Sequence, residues 1–455
     1  LYACGSYAFR YNDDYTPNDP FDGIDTGYDR WDENNPGGST WWLEAIEARN
    51  AWGYSSYFNH INIGIVDSGF DTTNPDLNGK IIFPTGALAR QNIPSAHGTH
   101  VSGIIAARGN NGKGIAGICQ NSALTCVDWE PEEGQNWIPD LRIIFGVGYA
   151  IKAGAKVVNL SVGSSGSIPD GKPAYPALWM NAEAALVSVY TALLYKEGYD
   201  FVIVQSAGNG DSNGNAVNAF NNGSFCCITE DNSLSEIVGV PAKDILDRII
   251  IVGCARNLGS GQFAQTSYSN VGSRVDICAP GSGIYSCSTA ENDYYQYMSG
   301  TSMAAPAVTA VASLVWSVNP ALTGAQVKSI VCDPSNTRYD VPPAGNPFWS
   351  TPDYQSYRLV NAKLAVEAAI KTIAATGIVK GRTVDSFGQG KSCEITADKG
   401  NKEFSFCSGS DGYFEFILPA GDAEIQLINS DATYTAIHAA VSAGGTADLG
   451  DIITV

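Results

Sequence analysis

At 455 residues the chain is longer than one hydrophobic core usually serves, so its length predicts a large unit with a smaller appendage. Its 46 acidic residues against 26 basic ones give a formal net charge of −20, which repels phosphate backbones and anionic lipid surfaces and sets nucleic acid and membrane aside as partners. The most apolar stretches, 141–151 and 303–316, are broken by Gly, Pro or polar residues and fall short of the roughly 18 residues that cross a bilayer.

The sequence starts at Leu1 with neither a basic start nor an apolar run behind it, so it reads as a mature fragment whose targeting segment is gone. Residues 1–40 set Asp13, Asp14, Asp19, Asp22, Asp25, Asp29, Asp32 and Glu33 among Pro17, Pro20 and Pro36, which predicts an irregular acidic arm. Such an arm could offer oxygens to calcium, but it lacks EF-hand spacing, and a solvated extension is the favoured reading. From Trp41 the apolar Trp42, Ile46, Ala48 and Trp52 alternate with Glu44, Glu47 and Arg49, as in a short helix or turn with one apolar face. Residues 61–66 then form a β-branched strand.

Beyond it, helical and extended patterns alternate: a helix over 99–107, a strand over 123–128, a helix over 138–154, a strand over 156–162, a helix over 174–196, and strands over 201–206 and 248–254. This order predicts an α/β fold with a parallel sheet covered by helices on both faces, its chemistry at the carboxyl edge of the strands. The stretch 210–248 is long for a connection and is expected to form a surface lobe. After Gly377 the helical signal stops. Short strands over 377–385, 392–397, 413–418, 424–428 and 447–455, split by turns such as Ser410-Asp411-Gly412, predict a small all-β sandwich. The expected organisation is therefore an arm (1–40), an α/β unit (41–372) and a sandwich (377–455), in a monomeric chain.

Eleven cysteines without a Cys-x-x-Cys pair argue against zinc and for disulfides in an oxidising compartment, with the odd count leaving at least one thiol over. The neighbours Cys226 and Cys227 are expected to bond different partners. Cys393 and Cys407, alone in the C-terminal segment, are expected to bond each other and staple the sandwich.

Three segments carry an acid, a base and a hydroxyl: Ile63-Gly64-Ile65-Val66-Asp67-Ser68-Gly69, His97-Gly98-Thr99-His100-Val101-Ser102-Gly103 and Gly300-Thr301-Ser302-Met303-Ala304-Ala305-Pro306. A serine hydroxyl becomes a useful nucleophile when a histidine takes its proton and a carboxylate fixes that histidine's tautomer. Taken singly, a strand-end Asp and a helix-start Ser are ordinary caps; together they resemble the signatures of the subtilisin-like serine proteases, the subtilase family. The resemblance spans about 41–372 and includes Ser206-Ala207-Gly208-Asn209, Asn159-Leu160-Ser161-Val162-Gly163 and Ala279-Pro280-Gly281.

The resemblance implies Asp67, His97 and Ser302 as a catalytic triad, and Asn209 with the Ser302 N–H as oxyanion donors. It implies that Ser161, Val162, Gly163, Ala207 and Gly208 line the first substrate pocket, where small residues leave room for a large side chain. His100, within the helix, is expected to be structural. No cofactor is needed for such chemistry. Structural calcium is a family habit, with Asp71 and Asp76 as candidate ligands and no ligand set otherwise identified. The C-terminal segment is similar to carboxypeptidase regulatory-like, transthyretin-like sandwiches through Gly377-Ile378-Val379-Lys380-Gly381, Asp411-Gly412-Tyr413-Phe414 and Leu418-Pro419-Ala420-Gly421.

The expected function is that of a secreted serine endopeptidase acting on proteins or peptides through an acyl-enzyme. A ligase or cyclase could use the same site with an amine as acceptor. A binding protein with a decayed site is disfavoured because all four catalytic positions are filled.

Overall fold

The computed structural model describes residues 40–85, 93–130, 139–163, 177–211, 213–259, 261–343, 355–399, 402–428 and 434–454. The acidic arm and Cys4, with the expectations attached to them, lie outside these residues. Two short helices, α1 (Trp41–Ala45) and α2 (Ala48–Trp52), lead in. The central sheet comprises β1 (Ile61–Asp67), β2 (Ile81–Ile82), β3 (Ser122–Asp128), β4 (Val157–Leu160), β5 (Val202–Ser206), β6 (Ile249–Gly259), β7 (Gln262–Gln265) and β8 (Ile277–Pro280). Its order is β2-β3-β1-β4-β5-β6-β7, with β8 also paired to β6. All its pairings are parallel except β6 with β7.

Ile63, Ile65, Val157, Val158, Val202, Ile203 and Val204 are fully buried, as expected for strands covered on both faces. The covering helices are α3 (Ala96–Ala106), α4 (Pro139–Lys152), α5 (Ala177–Lys196), α6 (Ala242–Leu246), α7 (Thr301–Val318), α8 (Gly324–Cys332) and α9 (Ala362–Lys371). The α/β expectation is met, with boundaries moved by a few residues.

Helix α7 departs from one expectation. It is long and apolar enough to cross a membrane, but 94% of it is buried, and it serves as the core helix against β4, β5, β6 and β8. The 210–248 stretch is not a surface lobe either. It forms 3-10 turns at Ala219–Asn222, Ser224–Cys227 and Ser235–Val238, followed by α6, and buries Phe225, Cys226, Cys227 and Ile228 completely. Gln205 at the end of β5 holds it in place by accepting the Phe225 N–H at 2.8 Å. Cys226 and Cys227 are free thiols.

A hairpin of β9 (Ile284–Cys287) and β10 (Tyr295–Met298) and a short pair, β11 (Asp340–Val341) with β12 (Tyr357–Arg358), complete this part. The C-terminal segment forms β13 (Thr376–Val384), β14 (Glu394–Lys399), β15 (Lys402–Cys407), β16 (Tyr413–Pro419), β17 (Gly421–Ile428), β18 (Tyr434–Val441) and β19 (Thr446–Ile453). They make a three-stranded sheet, β16-β13-β19, and a four-stranded sheet, β15-β14-β17-β18. The apolar faces of the two sheets meet where Phe406 stacks on Phe416, 4.1 Å between ring centroids.

These sheets pack on the lead-in and closing helices of the α/β part. Tyr54, fully buried, sets its ring edge-on to Phe406 at 5.1 Å; its hydroxyl donates to Glu367 Oε1 at 2.5 Å and accepts the Ile417 N–H at 3.1 Å. Lys402 lies over the Tyr57 ring at 4.0 Å and donates to the Ser56 carbonyl at 2.7 Å, while Lys363 donates to the Glu415 carbonyl at 2.7 Å.

The expected Cys393–Cys407 disulfide is absent. Sheet register gives the reason. Glu394 stands opposite Cys407, so Cys393 falls opposite Ser408, whose N–H donates to the Cys393 carbonyl at 3.0 Å. Residues directly opposite share a face and successive residues alternate, so the two thiols project to opposite faces of one sheet.

Candidate active site

Asp67 ends β1, and its backbone N–H neighbour Ser68 donates to Oδ1 at 2.7 Å. The same oxygen receives His97 Nδ1 at 2.7 Å. Asp67 is fully buried, whereas 34% of the His97 side chain is exposed, so the carboxylate points inward and the imidazole opens toward solvent. The Asp67 charge raises the His97 pKa above its ordinary value against the opposing effect of burial. The bonded carboxylate makes Nδ1 the protonated nitrogen and leaves Nε2 as the acceptor.

His97 is the second residue of α3, and Gly98 brings that helix close to the strand end: a Cβ there would run into the Gly69 carbonyl oxygen and stand 2.9 Å from that of Ser68. His100 lies one turn further on, fully buried, with Nε2 facing the Ile284 carbonyl at 3.0 Å and the Gln296 carbonyl at 3.2 Å. Burial pushes its pKa down to about 3, so it stays neutral and serves packing.

Ser302 sits in the first turn of α7, and Pro306 lies four residues on, inside the helix. Pro306 has no N–H to give the Ser302 carbonyl, the bond an ordinary helix would make. Ser161, just beyond β4, fills that role: its hydroxyl donates to the Ser302 carbonyl at 2.7 Å. Ser161 Oγ in turn accepts Asn159 Nδ2 at 2.9 Å, and Asn159 Oδ1 accepts the Thr309 hydroxyl from α7 at 2.9 Å. A proline that weakens the start of the helix is thus offset by a polar chain tying that start to the sheet. The Ser302 hydroxyl donates to the Ser161 carbonyl at 3.2 Å in this resting arrangement.

Asn209 follows β5. Its Oδ1 accepts both the Thr301 N–H at 2.8 Å and the Thr301 hydroxyl at 2.9 Å, while Thr301 Oγ1 accepts the Gly208 N–H at 3.2 Å. With the carbonyl end held, Asn209 Nδ2 remains the free donor beside the N-terminus of α7. A Cβ on Gly300 would stand 3.3 Å from Nδ2, so glycine keeps that space open.

Nothing in the sequence singles out Asn270, yet it braces this loop from both sides. Its Nδ2 donates to the Ala207 carbonyl at 2.8 Å, its Oδ1 accepts the Gly210 and Val217 N–H groups at 3.1 Å each, and its own N–H donates to the Gly208 carbonyl at 3.0 Å. Within Ser267-Tyr268-Ser269-Asn270 it reads as an ordinary turn residue, and only the fold reveals its partners.

Because β1, β4 and β5 are parallel neighbours, their ends place Asp67, Ser161–Gly163 and Ala207–Asn209 along one edge, where α3 and α7 begin. The sequence-derived site residues are therefore gathered at one place, apart from Cys393 and Cys407. The calcium candidates do not fit. Asp71 spends Oδ1 on the Thr73 N–H and hydroxyl and Oδ2 on the Ala290 N–H; Asp76 spends Oδ1 on Asn111 and Oδ2 on the Ile115 N–H and the Tyr295 hydroxyl. These donors present positive hydrogen to the oxygens a cation would need. No group of three or more His, Cys, Asp or Glu side chains placed to hold a metal ion occurs among the described residues.

Residues 59–348 match the subtilase family, Peptidase S8. A thermophilic serine proteinase from Bacillus sp. strain AK1 is 32% identical over 268 residues, 58% of this chain and 54% of the relative. A subtilisin from Bacillus pumilus is 31% identical over 287 residues, 62% of this chain and 85% of the relative. A solved protease from Pseudoalteromonas arctica, 23% identical, covers 78% of this chain and is itself fully covered, with a TM-score of 0.51, a likeness of fold. The match spans more than half of the chain and carries the strand ends and helix starts just described: the chain belongs to the subtilase family.

Proposed function

We propose that this chain is an exported serine endopeptidase in which Asp67, His97 and Ser302 form the triad. The observation that carries the reading is the 2.7 Å contact between His97 Nδ1 and Asp67 Oδ1, which leaves Nε2 free to take a proton. A peptide substrate adds as an extended strand beside residues 161–163, its first side chain entering between that segment and Ala207–Gly208. The Ser302 hydroxyl gives up its bond to the Ser161 carbonyl, passes its proton to His97 Nε2, and Oγ attacks the scissile carbonyl carbon. Asn209 Nδ2 and the Ser302 N–H hold the oxyanion; His97 then protonates the leaving amine, and water repeats the sequence on the acyl-enzyme.

Asp67 keeps the imidazole in the correct tautomer and stabilises its positive form. The chemistry uses no cofactor. The C-terminal sheets are an accessory, transthyretin-like domain beginning near 377, docked on a catalytic domain spanning 41–372, and the protein acts as a monomer on protein or peptide substrates.

Treatment with a serine-directed covalent inhibitor followed by peptide mapping tests the reading. Modification at Ser302, and loss of peptide cleavage in Ser302→Ala, are expected. Cleavage by Ser302→Ala, or an unmodified Ser302, would sink it.

A further inference from the structure

The small residues of the first pocket do not leave it roomy. Asn222, the last residue of the turn Ala219–Asn222, reaches in between its two walls. A Cβ on Gly163 would overlap the Asn222 carboxamide, and one on Gly208, crowded first by Asn270 Nδ2, would also come within 2.6 Å of Asn222 Oδ1, so the Asn222 side chain lies against both glycines. Asn222 Nδ2 donates to the Ser206 carbonyl at 2.9 Å, which fixes the amide orientation and turns Oδ1 toward the glycines. Among the described residues no donor reaches that oxygen within hydrogen-bond distance. The turn itself is anchored, because Gln205 holds the Phe225 N–H on one side and donates to the Val162 carbonyl at 3.1 Å on the other.

We propose that Asn222 is the specificity-determining floor of the pocket. It makes the pocket shallow and ends it in a hydrogen-bond acceptor, so the enzyme selects substrates whose residue supplying the scissile carbonyl has a short side chain with an O–H or N–H donor, such as Ser, Thr or Asn. Large aromatic and aliphatic side chains meet the carboxamide and are rejected. A buried acceptor left without a donor costs more than a merely imperfect apolar fit, so the discrimination comes from both size and polarity. This inference rests on the endopeptidase reading above and names the substrate class of the same site.

The test is a set of peptides differing only at that residue, Ser, Asn, Leu or Phe, compared by kcat/KM for the wild type, Asn222→Gly and Asn222→Ala. Ratios between peptides do not depend on the fraction of enzyme that folds. The wild type is expected to favour Ser or Asn over Phe by about tenfold or more, and both variants are expected to shift that ratio toward Phe by about tenfold. A wild type that prefers Phe or Leu, or variants that leave the ratio within about twofold, overturns the floor while leaving the triad reading intact. A wild type that cleaves none of the peptides and is not modified at Ser302 takes both readings down.

Discussion

The bond from Ser161 to the Ser302 carbonyl exists because Pro306 cannot supply one, and that dependence can be measured. Replacing Ser161 by Ala removes a hydrogen bond with a net value of about 1 kcal/mol and leaves a carbonyl without a partner, a further cost of about 1–3 kcal/mol. Asn159 Nδ2 also loses its acceptor. In Pro306→Ala the helix regains an N–H for the Ser302 carbonyl, so the same Ser161→Ala change should then cost less by about 1–3 kcal/mol, the unpaired-carbonyl share. The loss at Asn159 occurs in both backgrounds and cancels. Urea unfolding followed by tryptophan fluorescence gives the four stabilities, with every variant built on Ser302→Ala so that self-digestion does not intrude; that change leaves the carbonyl at 302 in place. If the two substitutions are additive within about 0.5 kcal/mol, the compensation argument is wrong.

Asp67→Asn should lower kcat by about 10⁴-fold and move the acid limb of the pH–rate profile to lower pH. The sign follows from His97: its pKa is raised chiefly by the Asp67 charge, activity needs the neutral imidazole, and removing the charge lets that form persist at lower pH. An unmoved limb would contradict the assignment. Asn209→Ala should cost about 10²–10³-fold in kcat with little change in KM, and Asn270→Ala, which acts only by holding the 207–210 loop, should follow the same kcat pattern at about tenfold. A loss confined to KM would remove Asn270 from that role. Tyr54→Phe should destabilise the chain by about 1–3 kcal/mol in thermal unfolding, since the Ile417 N–H then lacks its acceptor and Glu367 its donor. Unchanged unfolding would show that the aromatic packing alone carries the contact.

The proposed triad is legible because each of its residues sits where a pattern breaks. Asp67 closes an apolar strand, His97 opens a helix and Ser302 precedes a long apolar run. What escaped is set by partners distant in sequence. Asn222 and Asn270 each look like turn asparagines until the fold brings them to Ser206 and Ala207. The strands Lys402–Cys407 and Tyr434–Val441 fall outside the expected set, because their polar alternation describes a sheet with one wet face. The Cys393–Cys407 pairing failed for a related reason: being the only two cysteines of a segment says nothing about which face a thiol occupies, and a shift of one residue inverts the answer.

The family match begins at residue 59 and ends at 348, yet the surface that receives the C-terminal sheets is built from both sides of it, by Tyr54 and Tyr57 before and Lys363 and Glu367 after. The docking site therefore travels with the margins of the matched segment and not with its catalytic centre. A chimera that joins residues 374–455 to another catalytic core would carry the rings of Phe404 and Phe406 without the Tyr54 that covers them. Portability of the C-terminal sheets would thus require moving residues 41–58 and 362–373 along with them, two discontinuous pieces of chain that behave as one graft.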